Sequence, residues 1–340
     1  MSEPGPSLWR DRSFMTFWSG QAFAQFGGQI TELALPVLAV LLLNATEFEV
    51  GVLNAAGVAA FLVVGLPAGA WIDRMRKRHV MIAADAVRAV ALATLPLLWF
   101  LGLLQIWHLV VVALVMGVAT VFFDVSYQSI VPSLVRAERI PDANGKLEST
   151  AQLAGIAGPA AGGWLVAAIT APFAILATVA TYVISLIALL LTRDREVVPE
   201  RHEHEPLGRS IAEGLRWVFG NRYLRRIVPT TAVSNFFGTI MYTLLPILLF
   251  RELGFTPELV GLVFGLSALG GFLGAVSTPW IVRWIGEARA IPVGSLAFTL
   301  IGFAIPAAAA VPDVAFPLLV VQGFLMSFSV LLYNIPQASF

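Results

Sequence analysis

Residues 14–43 read FMTFWSGQAFAQFGGQITELALPVLAVLLL. A helix needs about 20 mostly apolar residues, rising 1.5 Å each, to cross roughly 30 Å of hydrocarbon, and this stretch exceeds that. It also carries Gln21, Gln25, Gln29 and Glu32. At about 100° per residue these four fall within an arc of about 80°, forming one polar stripe on an apolar helix. Such a stripe is costly against acyl chains, so it must face the protein interior or water. The stretch is not a cleavable leader, because it is too long, too polar and lacks a small-residue cleavage site after a short apolar core.

Nine further apolar runs follow, at approximately 49–72, 80–101, 108–130, 148–169, 172–192, 226–250, 258–282, 290–310 and 315–337. Over 340 residues the chain is 58% hydrophobic and 12% charged, with a mean hydropathy of +0.83. Soluble domains carry about 25% charged residues, so a soluble enzyme or nucleic-acid binder is excluded. Disorder, which needs low hydrophobicity and high charge, is excluded too. The 21 basic residues balance 21 acidic ones, so net charge selects no partner. No cysteine is present, which removes disulfides, thiolate metal sites and thiol nucleophiles. None of the runs alternates polar and apolar residues, which disfavours a β-barrel. The expectation is an all-α membrane protein with many spans.

Lys and Arg are retained in cytoplasmic loops. All of the 21 except Arg88, inside span 3, and Arg251 lie on one side of the predicted topology, so the N-terminus is expected in the cytoplasm. The sequence divides into a cytoplasmic segment (1–13), a six-span bundle (14–192), a cytoplasmic linker with an amphipathic helix (193–225) and a four-span bundle (226–340). The linker contains His202-Glu203-His204, a bare match in a charged, solvated stretch; no metal site is expected.

The polar stripe recurs. At an offset of 210 residues, span 7 carries Thr231, Asn235, Thr239 and Tyr242, with Phe26/Phe236, Gly28/Gly238, Leu35/Leu245, Pro36/Pro246 and Gly51/Gly261 alongside. At 209 come Gly65/Gly274, Trp71/Trp280, Ile72/Ile281 and Arg74/Arg283. Repeats with an even number of spans are parallel, the relation found between transporter halves. Both stripes are expected to line one cavity through Gln25, Gln29, Glu32, Asn235, Thr239 and Tyr242. For any single amide, bonding between neighbouring helices is the competing role. By this register, two spans of a twelve-span design are expected to be missing after Phe340.

Two motifs sharpen the reading. Span 2 ends in Gly65-x3-Gly69-x3-Asp73-Arg74-x-Arg76-Lys77-Arg78. Its glycines are expected to bring span 2 close to a neighbour, and its charges to pair and separate at the cytoplasmic boundary. Span 5 carries Gly155-x-x-Gly158-Pro159-x-x-Gly162-Gly163, one small-residue face interrupted by a proline, suited to tight packing and bending.

The first motif resembles the loop 2–3 signature of the major facilitator superfamily, with Arg76 where many members have Gly. The second resembles the signature of that superfamily's antiporters. The run from Phe123 through Val135, with Ala143 through Gln152, resembles its macrolide-efflux and enterobactin-exporter-like branch, also called transmembrane secretion effectors. The resemblance covers the chain. It implies the major facilitator fold, two pseudo-symmetric six-helix bundles, and proton-driven export of a small drug-like or siderophore-like amphipathic molecule by a monomer in the bacterial inner membrane. Span 4 lacks the arginine of many drug antiporters, and Gln29 stands where the branch often has an acid.

Glu32 and Asp124 are the candidate proton carriers, because ionisable groups within a bilayer are functional candidates by default. Asp124 is expected to pair with Arg74, and Asp85 with Arg88 in a structural role. No nucleotide-binding loop or catalytic triad is present, so neither ATP nor another cofactor is expected, and the proton gradient is the energy source. A nutrient importer on the same fold and a non-transporting membrane protein remain the alternatives.

Overall fold

The computed structural model describes residues 8–72, 75–193, 216–217, 219–220 and 224–337, and these are helical with no strand among them. Helix α1 spans Arg12–Val37. Its first turn is capped by Asp11, whose Oδ1 accepts from the Ser13 and Phe14 amides at 3.0 and 3.1 Å. Four amides at a helix start have no partner within the helix, and a short acidic side chain just before it satisfies them. Then come α2 (Glu47–Ile72), α3 (Lys77–Phe100), α4 (Ile106–Leu134), α5 (Ile140–Ile169), α6 (Ala171–Leu191), α7 (Leu224–Ile247), α8 (Pro257–Ile285), α9 (Glu287–Gly302), α10 (Ala304–Ala310) and α11 (Ala315–Gln337). Among the described residues nine spans are long and apolar enough to cross a bilayer, α9 and α10 together forming one. Helix α7, at 24 residues, is long enough as well, though it does not stand among those nine. The amphipathic helix expected in the linker lies outside the described residues.

The duplication extends into backbone detail. Helix α1 passes Pro36 and ends in a π-helical turn at Leu38–Leu42; α7 passes Pro246 and ends in the same kind of turn at Leu248–Glu252. Each turn is followed, again 210 residues apart, by a residue with positive φ: Asn44 at 51° and Gly254 at 63°. Asn and Gly are the residues that tolerate this left-handed conformation. The next helices then start at Glu47 and Pro257, each preceded by a threonine, Thr46 and Thr256. Packing repeats as well. Helix α4 lies against α2 and α3, and its counterpart α11 lies against α8 and α9. This sequence of devices at one offset makes the duplication a property of the fold.

By contact the chain forms two compact units, one comprising Met1–Gly20, Leu43–Asn144 and Tyr182–Pro246, the other Gln21–Leu42, Gly145–Thr181 and Ile247–Phe340. In the first, α4 meets α2 where glycine faces glycine: a Cβ added at Gly117 would come within 2.6 Å of the Gly57 carbonyl oxygen and 2.8 Å of the Ala60 Cβ. Helix α2 is held to α7 by the Asn54 amide, which donates to Thr243 Oγ1 at 2.7 Å. In the second unit, α5 packs on α8 with the Cα of Gly261 3.1 Å from where a Cβ on Gly163 would stand, and a Cβ at Gly265 would be 2.7 Å from the Ile156 carbonyl oxygen.

Gly65 and Gly69 depart from expectation. No described atom lies within 4 Å of where a Cβ would stand at either position, and the close approach of α2 to α4 is made at Gly57 instead.

The glycines of α5 divide in the same way, which gives a paired prediction. Gly163→Val drives a side chain into the α8 backbone and should destabilise the protein by about 1–3 kcal/mol, the usual cost of overpacking. Gly155→Ala enters open space and, at a helix interior position, should be neutral or stabilising by up to about 1 kcal/mol. Thermal unfolding in detergent, followed by loss of the monodisperse gel-filtration peak, distinguishes them.

Candidate functional site

The stripe on α1 is graded. Gln21 is buried, Gln25 and Gln29 are half-buried and Glu32 is exposed. Its neighbours explain the gradient. Thr178 Oγ1 on α6 donates to the Gly27 carbonyl at 3.2 Å. A Cβ at Gly158 would come within 2.5 Å of Gln29 Cβ, and one at Gly162 within 3.2 Å of the Ile30 Cα. The small face of α5 is thus where the polar stripe of α1 is seated, Gly158 making room for Gln29, while Gly163 on the adjoining face meets α8. The expected contact role of the span 5 glycines holds for Gly158, Gly162 and Gly163 and not for Gly155. On α7, Asn235, Thr239 and Tyr242 are exposed, as are Phe236 and Phe237 beside them.

The motif after α2 is only partly placed. Asp73 and Arg74 lie outside the described residues, and with them the expected pairing of Arg74 with Asp124. Arg76 is exposed just before α3, and Lys77 is half-buried at its first position. Arg78 has a role that spacing could not reveal. Its Nε and Nη2 donate to the Leu189 and Leu190 carbonyls, each at 2.7 Å. These are among the last carbonyls of α6, which have no partner within the helix and carry the negative end of its dipole. A guanidinium satisfies both. Next to it, Ser13 Oγ donates to the Arg193 carbonyl at 2.7 Å, so the end of α6 is also tied to the start of α1.

A charged cluster lies inside the first unit. Asp85 and Arg88 are one turn apart on α3, both buried, with Arg88 Nη1 donating to Asp85 Oδ1 at 3.3 Å. The expected pairing is therefore present, but it is not isolated. The guanidinium carbon stands 4.3 Å from the ring centre of Phe123 on α4 and 5.5 Å from that of Tyr182 on α6, distances at which a cation is attracted to an aromatic face. Ser185 on α6 hydrogen-bonds the Asp85 carboxylate, and Asp124 on α4, half-buried, lies within electrostatic reach of Arg88. Sequence reading assigned Asp124 to Arg74, which lies outside the described residues; the packing of α3 on α4 also sets Arg88 within electrostatic reach of it. Tyr182 and Ser185 sit almost 100 residues from Arg88 in an apolar run that marks neither.

A helical membrane chain with an internally duplicated bundle, polar stripes and buried charges is built as a carrier, and no group of His, Cys, Asp and Glu suited to a metal occurs among the described residues. Residues 17–340 match the Major Facilitator Superfamily. The chain belongs to that family of membrane transporters, which makes it a transporter and not an enzyme. It is 28% identical over 301 residues to the multidrug efflux pump Tap of Mycolicibacterium fortuitum, covering 82% of this chain and 71% of that protein. It is 26% identical over 190 residues to macrolide efflux protein A of Streptococcus pyogenes, covering 54% of this chain and 46% of that one. The matches thus span about half to seven-tenths of these relatives. Among solved structures, a point mutant of the nucleoside transporter NupG aligns with a TM-score of 0.74 at 15% identity, over 96% of this chain and 81% of that one. An inward-facing bacterial homologue of the iron transporter ferroportin gives 0.68 at 17%, over 98% and 84%. At these identities the structural likeness speaks for the fold.

The buried pair predicts an asymmetric response to substitution. Arg88→Met strands Asp85 as a buried charge and should cost about 3–5 kcal/mol, whereas Asp85→Asn with Arg88→Met should recover much of that loss. Thermal unfolding of the single and double variants measures the difference.

Proposed function

We propose that this transporter is a secondary exporter of small amphipathic molecules, drug-like or siderophore-like, exchanged for protons by alternating access. The carrying observation is the seating of α1 on α5. The Gly158-Pro159-x-x-Gly162-Gly163 run gives up its side-chain volume to the polar stripe of α1 on one face and to α8 on another. A helix without side chains at its contacts can slide and tilt against its neighbours with little steric resistance, as rocking between inward and outward states requires. The efflux function named for Tap and for macrolide efflux protein A supports the direction of transport.

In this reading Gln25, Gln29 and Glu32 on α1, and Asn235, Thr239 and Tyr242 on α7, contact substrate. Amides and aromatic rings fit an amphipathic organic molecule better than a sugar. Glu32 and Asp124 carry protons. Gly65, Gly69, Asp73, Arg74, Arg76, Lys77 and Arg78 form the cytoplasmic gating region, with Arg78 holding the end of α6. The protein acts as a monomer in the bacterial inner membrane, its N-terminus cytoplasmic, with the proton gradient in place of a cofactor. Residues 14–192 and 226–340 belong to two bundles joined by the 193–225 linker.

Everted membrane vesicles containing the full-length product test this with ethidium as the probe. Energised vesicles should accumulate ethidium, and Glu32→Gln should lower that uptake at least tenfold. Uptake unchanged by dissipating the pH gradient removes proton antiport, and unchanged uptake in Glu32→Gln removes Glu32 as a carrier.

A further inference from the structure

The start of α4 is closed by a side chain whose bonding depends on its protonation. Gln105, in extended backbone just before the helix, donates its amide to His108 Nδ1 at 3.0 Å, and the His108 amide donates back to the Gln105 carbonyl at 3.1 Å. The Trp107 indole N–H donates to Gln105 Oε1 at 2.7 Å, and the Trp107 and His108 rings lie against each other with centres 3.6 Å apart. A side chain at the third helical position that reaches back to the capping residue's amide is ordinarily Glu or Gln, whose oxygen accepts across the neutral pH range. Here the acceptor is an imidazole nitrogen, which accepts only while it keeps its lone pair.

Imidazole is the side chain that ordinarily changes charge between about pH 5 and 8. Once protonated, Nδ1 becomes a donor, the Gln105 amide loses its acceptor, and a positive charge stands at the positive end of the α4 dipole. The cap is therefore made on the alkaline side and lost as pH falls. Water reaches it: Gln105 and Trp107 are exposed and His108 is half-buried. Of the helices packed on α4, α2 has Glu47 and Glu49 at its start, Glu49 accepting from the Thr46 amide and hydroxyl at 2.8 and 3.0 Å, and α3 has no charge beyond Arg88. The groups that α1 and α6 bring to α4, Phe17 against Tyr127 and Tyr182 beside Arg88 and Phe123, lie about four to five turns further along.

We infer that His108 is a pH-sensitive cap on α4, holding the first turn closed while the imidazole is neutral and releasing it when the ring takes up a proton. The inference rests on the reading that the N-terminus is cytoplasmic, which puts the start of α4, after three crossings, on the outer side of the membrane. It goes further by giving that side a proton sensor separate from the carboxylates that carry protons. One proton passes from water to Nδ1, and the released Gln105 amide bonds water instead. The imidazolium stays against the Trp107 ring as a cation on an aromatic face, so the side chain remains placed while the backbone it held is let go. The outer side supplies the protons of the proposed exchange, and the α3–α4 connection (101–105) loosens where they are abundant. His108 is a positioning residue, acting through the backbone of Gln105.

Hydrogen exchange of the purified full-length protein in detergent, at mildly alkaline and mildly acidic pH with times scaled to the intrinsic exchange rates, reads the cap. In wild type the 101–110 stretch should lose about fivefold in protection on acidification, the scale of one helix cap. His108→Gln, which accepts at either pH, should keep the protection at both; His108→Leu should lack it at both. Protection in wild type that ignores pH overturns the inference, as does a pH response that persists in His108→Gln or full protection in His108→Leu. Should these variants not fold, the triple variant His79→Gln, His202→Gln, His204→Gln leaves His108 as the one imidazole of the chain's four. Nitrogen-15 magnetic resonance must then find its Nδ1 unprotonated at alkaline pH and protonated in acid; a proton on Nδ1 at alkaline pH overturns the cap. Neither readout involves transport or sidedness, so vesicles that move no ethidium, or an N-terminus found outside, would remove the reading beneath the inference and leave the cap intact.

Discussion

A bilayer offers no partner to a polar group, and the architecture of this chain follows from that constraint. Glutamines, threonines, aspartates and an arginine inside the spans must find one another or water. Hydrophobicity gives helices no reason to associate once they are in lipid, so close contact has to come from shape. Gly117 on Gly57, Gly163 on Gly261 and Gly158 under Gln29 supply it. Glycine at such a contact brings backbones near enough for a polar bond to close, as where Thr178 donates to the Gly27 carbonyl.

The same constraint concentrates function. The polar residues here are few, and they gather on α1, on α7 and around Arg88. A stripe of amides on α1 and a half-buried acid beside a buried cation are different devices. In the proposed reading the first presents hydrogen-bonding groups to a molecule passing through, and the second holds a charge state that depends on its surroundings. Export coupled to protons needs both kinds, and in the proposed cycle it is movement of the helices that links them.

Much of this was legible in sequence because it depends on local pattern. Apolar runs gave the spans, and the 210-residue offset of the stripes gave a duplication that reappears in paired π turns and in Asn44 and Gly254 at positive φ. Asp85 and Arg88, three apart on one helix, declared their pairing through helical geometry alone. What stayed hidden depends on how helices meet. Asp124 comes within electrostatic reach of Arg88 because α3 packs on α4, and no spacing encodes that. Arg78 reads as one more base in a basic loop until the end of α6 is placed against it. Gly65 and Gly69 look like packing glycines by their spacing, yet Gly57 makes the contact. Glycine spacing states that a helix can approach a neighbour, while the neighbour decides which glycine is used.

The central claim is that carboxylates inside this membrane protein exchange protons in step with an outward-moving molecule. Proteoliposomes of the purified full-length protein, given an acidic lumen and a pH-sensitive dye inside, test it most directly. If the claim holds, adding ethidium outside will hasten collapse of the gradient as the dye enters, each movement requiring the other. Ethidium entry that leaves the rate of gradient decay untouched would contradict it.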